Sequence, residues 1–303
     1  MQQSRAIRHE SRSATRFLLA TIDSEVEYQS LQHEFNQIPV SPKLLQRRRL
    51  NAMNDQTRYD NAPITEAIID IRVEPCQELS LDALRSLCDK GVAQYPKIEP
   101  TFEARGMMQV RPGVSASASA HQKQTGFRCI SDDQANICQM RLDGFTYSRL
   151  APYESWEPFR DEAKRMWQDY RQVAAPREIN RLAVRYINRI DIPHPSVELK
   201  DYFRTSPEVS PDLPQQLAGF FMQLRLPQDD ISAELLINQT IVPPSQEETT
   251  SVILDLDLFR AESVPQAEVG IWDFFESLHL RKNAVFESCI TDKTRELFVI
   301  CQS

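Results

Sequence analysis

The chain is short of glycine, with seven in 303 residues, about a third of the usual share of roughly 7%. None of the seven stands in a G-x-G or G-x-x-x-x-G-K arrangement, which excludes the loops that cradle phosphate in Rossmann, P-loop and kinase folds. Long apolar runs are missing as well. Stretches such as Phe17-Leu18-Leu19-Ala20 stop at four to five residues, far below the roughly 20 that cross a bilayer. The six cysteines form no C-x-x-C, so neither a zinc ribbon nor a thioredoxin motif is present, and the expectation is a cytoplasmic protein with reduced thiols. The five histidines, at 9, 33, 121, 194 and 279, are scattered, and no Ser-His-Asp or Cys-His set assembles from them. No cofactor, no resident metal and no membrane partner are expected.

What is present is an ordinary globular composition, 41% hydrophobic and 26% charged, long enough for one large domain or two modest ones. The net charge of −8 is uneven: residues 1–52 carry eight Lys or Arg against five Asp or Glu, which leaves −11 on residues 53–303. An acidic body lacks the counterion-release attraction that drives nucleic-acid binding, so nucleic acid is disfavoured as a partner. The first 22 residues are rich in Arg and Ser and superficially fit a transit peptide. Residues 1–58 are read instead as an extension, disordered or an upstream misassigned start, with Met53 as the expected true start and regular patterning only from Tyr59.

From 62 to 75 the sequence alternates, with Ala67, Ile69, Ile71 and Val73 on one side and Glu66, Ile68, Asp70 and Arg72 on the other, the pattern of a half-buried strand. Ser80 then caps a helix carrying Leu84, Leu87 and Cys88 on one face. Strands are predicted at 107–111, 126–131, 136–142 and 145–150, with 115–120 (SASASA) as a flexible loop. Ser155 opens a long helix whose Phe159, Ala163, Met166, Trp167, Tyr170 and Ala174 share a stripe. The order then recurs: a strand at 180–192, a short helix at 199–203, strands at 220–226, 231–241 and 252–259, and a helix from Pro265. The expected fold is α+β, two pseudo-repeated lobes of strand, helix, antiparallel strands and long helix over 59–175 and 176–303, helix-grip or saddle-like. Two separate sheets would satisfy the same order.

Five segments together resemble a known grouping. They are Asn61-Ala62-Pro63-Ile64-x-Glu66-Ala67, Ala151-Pro152-Tyr153-x-x-Trp156-x-x-Phe159, Arg185-Tyr186-Ile187-Asn188-Arg189-Ile190, Leu254-Asp255-Leu256-Asp257 and Phe286-Glu287-Ser288-x-Ile290-Thr291. In order and spacing over 59–298 they resemble a sporadically distributed, functionally uncharacterised bacterial protein family. The resemblance implies no activity, cofactor or catalytic residue. The patchy distribution of that family implies mobile genes, whose cargo is often defence or toxin-antitoxin systems.

Arg181, Arg185 and Arg189 sit at i, i+4 and i+8 of one strand and point to one face. They can form a clamp for an anion or carboxylate, because each guanidinium offers a bidentate fork. They can equally pair with acids on neighbouring strands, for which Asp255, Asp257, Glu66, Asp70 and Glu234 are available; paired charges in a sheet are more often structural than catalytic. Asp255 and Asp257, alternate on a strand, also fit a hard-cation site. Cys129 and Cys138 flank a turn and face each other if its loop is even-numbered; core packing accounts for them, as it does for the aromatic set Tyr153, Trp156, Phe159, Trp167 and Tyr170. The leading expectation is a non-catalytic binding or regulatory protein holding a protein partner or small anion. The alternatives are a metal-dependent enzyme on nucleotides or phosphate esters built on Asp255 and Asp257, and a nucleic-acid-binding saddle.

Overall fold

The alternation after Pro63 makes strand β1 (Ile64–Val73), which buries Ala67, Ile69, Ile71 and Val73. The Ser80 side chain accepts from the Ala83 amide at 3.2 Å and caps helix α1 (Leu81–Lys90), satisfying one donor that a helix start leaves without a partner. The computed structural model of the chain describes residues 59 and 61–298, less 92, 112, 113 and 216, and for 105–121 the backbone alone. The reading of residues 1–58, with its start at Met53, lies outside the described residues.

Four strands follow α1: β2 (Lys97–Arg111), β3 (Val114–Ile130), β4 (Asn136–Arg141) and β5 (Gly144–Leu150). Helix α2 (Trp156–Ala174) leads to β6 (Ile179–Ile192), the short α3 (Leu199–Tyr202) and β7 (Phe221–Gln228). A 3-10 turn over Asp229–Ile231 leads to β8 (Ala233–Val242) and β9 (Thr250–Arg260), then to α4 (Glu268–Cys289) and the short α5 (Asp292–Arg295). The nine strands form one antiparallel sheet in the order β2-β3-β4-β5-β1-β6-β9-β8-β7. The fold is α+β. Strands from both sides of residue 175 share this sheet, and the pair that joins them is β1 with β6, so two separate sheets do not form.

Alternate residues of the strands face the helices. Ile69 and Ile71 on β1, Phe145 and Tyr147 on β5, Val184 and Tyr186 on β6, and Leu256 and Leu258 on β9 share one core with the apolar stripes of α1, α2 and α4. In that core Phe159 stacks on Tyr147 at 5.4 Å between ring centroids, and Trp167 on Tyr170 at 5.6 Å. Burying each such side chain contributes about 1.5–3 kcal/mol, which makes the helix-side layer the main source of cohesion. It also consumes the aromatic set, leaving none of its rings as a stacking platform.

One stretch departs from the sequence expectation. Residues 115–120, expected as a flexible loop, are part of β3, with Ala118 opposite Met108 and Ala120 opposite Gly106 on β2. A run of small residues has no apolar alternation to read, so the strand was invisible to periodicity. β3 pairs with β4 only from Gly126 onward, and a Cβ at that glycine would lie 2.1 Å from the Met140 carbonyl oxygen. The closest approach of β3 to β4 therefore requires Gly126.

Candidate functional site

On β6 the even-numbered residues from Leu182 to Tyr186 enter the core, so Arg181, Arg185 and Arg189 project from the opposite face of the sheet. None of the helices of the shared core contributes to that face. Register then decides the neighbours: Arg185 lies between Ile68 of β1 and Asp257 of β9, Ile187 between Glu66 and Asp255, and Ala183 between Asp70 and Phe259. Arg181, Arg185, Arg189, Glu66, Asp70, Asp255 and Asp257 thus fall on one surface, spread over three adjacent strands.

Each arginine has a partner. Arg181 donates to Asp70 Oδ2 at 3.1 Å and to Asp257 Oδ2 at 2.9 Å, and its guanidinium lies 4.6 Å from the Phe259 ring centroid. Arg185 makes a bidentate pair with Asp255, Nε to Oδ1 at 2.8 Å and Nη2 to Oδ2 at 2.7 Å. Asn238 of β8 donates to the same Asp255 Oδ2 at 3.0 Å. Arg189 stands apart from this cluster: it donates to Asp191 of its own strand at 3.1 Å, to Ser251 Oγ at 2.9 Å and to the Pro243 carbonyl at 2.8 Å. Glu66 is half-buried on the same face and contributes to the field around Arg185. The three arginines are therefore built into the sheet, each with a carboxylate neighbour, rather than held open around an empty anion position.

The densest part of the network centres on Asp70. Its carboxylate accepts from Arg72 at 3.0 Å, Arg141 at 3.3 Å, Arg181 at 3.1 Å and the Thr146 hydroxyl at 2.6 Å. Burial alone would raise its pKa, but Arg72, Arg141 and Arg181 with the Thr146 hydroxyl hold it well below the ordinary carboxylate range. Asp257 goes the other way. Burial raises its pKa against the pull of Arg181 and Arg185, with Asp255 and Asp70 adding to the rise, and its Oδ1 is buried without a hydrogen bond. Two aspartates on one face thus hold opposite protonation tendencies, because three guanidinium groups and a hydroxyl outweigh burial at Asp70, while burial outweighs the two arginines at Asp257.

The sign of the Asp70 shift gives a measurable consequence. A carboxylate depressed in the fold contributes stability that is present above its unfolded value of 3.8 and is lost as pH falls toward the folded value. The expected result is a thermal midpoint that drops steeply below about pH 4 in the native chain. In Asp70→Asn the midpoint starts lower and the acid slope is shallower. Parallel slopes in the two proteins would show that Asp70 is not held ionised by its neighbours.

Several participants were not singled out in the sequence. Arg141 and Thr146 come from β4 and β5, and Asn238 from β8; each reaches the network through a strand-to-strand register that no local pattern encodes. A second, apolar feature shares the face, where Ile187, Val242 and Ile253 pack with Ile68. On the helix side lies a pocket of about 310 Å³, lined among others by Tyr95, Asn136, Tyr147, Arg149 and Glu162. Among the described residues, no three or more His, Cys, Asp or Glu side chains converge as metal ligands. No described helix is long and apolar enough to cross a membrane. The chain matches no family model, and no curated protein is significantly similar to it.

Proposed function

We propose that the chain is a non-catalytic binding or regulatory protein that holds a protein partner on the sheet face opposite its helices. The observation that carries this reading is the one-sided layering: the long helices share one face, and the other holds arginine-carboxylate pairs fixed in register around a small buried apolar cluster, with exposed side chains on β7 at its edge. Fixed pairs favour recognition of a matched surface, since ordered side chains lose little entropy on docking. At the edge of that face β7 exposes Phe221, Gln223 and Arg225, and an aromatic at such a position is a typical anchor for a partner.

A small anion fits this face less well than a protein, because Arg181 and Arg185 already serve Asp70, Asp255 and Asp257. The metal-dependent alternative on Asp255 and Asp257 meets the same obstacle. Both Asp255 oxygens are engaged, one by Arg185 alone and one by Arg185 and Asn238, and a divalent cation would have to enter between two guanidinium groups. The nucleic-acid reading lacks a basic field on an acidic body. A cytoplasmic setting belongs to the proposal and is supported by the free thiols of Cys76, Cys88, Cys129, Cys138 and Cys289. So does the pseudo-repeat, supported by β1 and β6 meeting as neighbours and each leading through a helix and further strands to a long helix. The family resemblance would add defence or toxin-antitoxin cargo as the biological setting.

The test is affinity capture with the full chain from cells that naturally make it, in three forms. The native chain is expected to retain a stoichiometric protein. The double variant Phe221→Asp, Gln223→Arg is expected to retain about tenfold less or worse, and Val269→Asp, on the exposed side of α4 (73% exposed), is expected to match the native chain. Equal capture by the native chain and the double variant overturns the assignment of the face. Copurification of a metal or nucleotide with turnover that Asp255→Asn abolishes would establish the enzyme instead.

A further inference from the structure

The pocket of about 310 Å³ lies on the helix side of the sheet, away from the face proposed for the protein partner. Register and helical spacing build it. Tyr147 and Arg149 of β5 point to one side, Asn136 of β4 stands directly across from Arg149, and Ser155, Phe159 and Glu162 follow the first two turns of α2. The floor is aromatic, since Tyr147 and Phe159 are 2% and 4% exposed and stack at 5.4 Å between ring centroids. Such a volume sits at the small end of the range that holds a small molecule, about 300–1,000 Å³.

Bonds within the chain leave this lining with donors to spare. Asn136 accepts from the Tyr147 hydroxyl at 2.8 Å and Gln94 from Arg165 at 2.8 Å, each through its amide oxygen, so the NH2 group of each has no partner among the described residues. The Ser155 hydroxyl does not cap α2 and makes no hydrogen bond among the described residues. Glu162, by contrast, is engaged: Tyr95 donates to it at 2.9 Å and Arg165 at 2.9 and 2.7 Å. A lining rich in unused donors suits a ligand that brings acceptors.

Arg149 sets the charge of that ligand. Its bonds are loose, 3.3 Å to the Pro152 carbonyl, 3.3 Å to Glu154 and 3.7 Å to Asp133, where a good guanidinium-carboxylate bond is about 2.7–2.9 Å and Arg185 reaches Asp255 at 2.8 and 2.7 Å. The Arg149 side chain is 16% exposed, while Glu154 and Asp133 are 72% and 58% exposed. Water competes for both carboxylates, so they hold the guanidinium weakly. We propose that the pocket binds a small carboxylic acid with an apolar or aromatic body, its carboxylate on Arg149 in place of Glu154 and its body over Tyr147 and Phe159. The spare donors of Asn136 and Ser155 serve the remaining lone pairs of that carboxylate. A cationic ligand would meet Arg149 and find Glu162 already paired with Arg165. The same chemistry is offered by a free acid and by the C-terminal residue of another chain.

The experiment titrates the full chain with phenylacetate and follows the indole N–H signals of its three tryptophans by NMR. Trp156 adjoins Ser155 and packs on Phe159 at 5.9 Å, so its signal is expected to shift saturably, with a dissociation constant of about 0.1–1 mM, while that of Trp272 stays in place. Phenylacetamide, which has the same shape without the charge, is expected to bind at least about tenfold more weakly, as is phenylacetate to Arg149→Gln. Glu154→Gln, which removes the competing carboxylate, is expected to bind phenylacetate more tightly. Acetyl-Gly-Gly-Phe with a free C-terminus separates the two sources: affinity equal to that of phenylacetate or better assigns the site to a chain end, and exclusion of the peptide assigns it to a free acid. Equal affinity for acid and amide, undiminished binding to Arg149→Gln, or no saturable shift of Trp156 by about 20 mM would each overturn the proposal. Acid and amide are compared on the native chain, so the proposal stays falsifiable if Arg149→Gln fails to fold.

Discussion

Replacing Asp255 with alanine is expected to lower the unfolding free energy by about 3–5 kcal/mol, seen as an earlier urea midpoint with an unchanged slope. The carboxylate is 2% exposed and accepts from Arg185 and Asn238. Its loss leaves the Arg185 guanidinium facing a methyl group, and because the Arg185 side chain is 30% exposed, water takes up part of the lost interaction. Asp257, directly across the β6–β9 ladder, offers partial compensation, which argues for the lower end of that range. Even about 3 kcal/mol is a large part of a total that is typically about 5–15 kcal/mol.

The companion variant separates structure from recognition. Removing both charges, with Asp255→Leu and Arg185→Met, leaves no unpaired ion and is expected to recover stability to within about 1–2 kcal/mol of the native chain. If the face binds a partner, the same double variant folds but captures it poorly. A loss below about 1 kcal/mol in Asp255→Ala would place the pair with ordinary exposed ion pairs, and the face would then lack the rigidity on which the proposed recognition rests.

The contrast between Arg185 and Asp70 shows what a sequence can and cannot reveal. Strand periodicity placed Arg181, Arg185 and Arg189 on a single face, and alternation in β1 placed Glu66 and Asp70 on the polar side; both follow from a geometry in which side chains alternate strictly. Which acid meets which arginine depends on strand order and register. Asp70 and Arg181 are brought together only by the central β1–β6 pairing across 111 residues, a choice set by the whole sheet. Arg189 illustrates the converse, since its nearest carboxylate, Asp191, is two residues away on its own strand. In β3 the Ser-Ala run offered no contrast between faces, and pairing with β2 supplied a strand that composition had hidden.

Lys282 is the residue that periodicity should have flagged. Ile271, Phe274, Phe275 and Leu278 mark the buried stripe of α4, and Lys282 continues it one turn after Leu278. A lysine at a stripe position is easily assumed to reach out to water along its flexible stem. Instead it is 7% exposed, with Nζ 3.9 Å from the Tyr186 ring centroid, and Tyr186 is itself hydrogen-bonded through its hydroxyl to Tyr153 at 2.9 Å. One turn back, His279 stacks on Trp156 at 4.4 Å and burial lowers its pKa to about 3, with the charges of Lys282 and Arg160 acting in the same direction. The imidazole is therefore neutral at physiological pH and adds no repulsion there.

Burial brings the Lys282 pKa from 10.5 down to about 7, and Glu287 opposes only part of that fall. The unfolded chain holds the proton up to about pH 10.5 while the folded chain releases it near pH 7, so between these values the unfolded state binds more protons and stability rises with pH. At 1.36 kcal/mol per pH unit the full window is worth on the order of 5 kcal/mol. Above about pH 8.5 the slope is opposed and then reversed, because burial holds the Cys138 and Cys289 thiols protonated beyond the value of 9.0 at which the unfolded chain ionises, and Tyr147, Tyr170 and Tyr186 beyond 10.0. Chemical unfolding from pH 7 to 8.5 is expected to show the first part of this rise, about 2 kcal/mol, in the native chain and a much flatter profile in Lys282→Met, which also starts higher at pH 7. A slope that survives in Lys282→Met would assign the rise to another group, and a flat native profile would mean that the ammonium keeps its proton against the face of Tyr186.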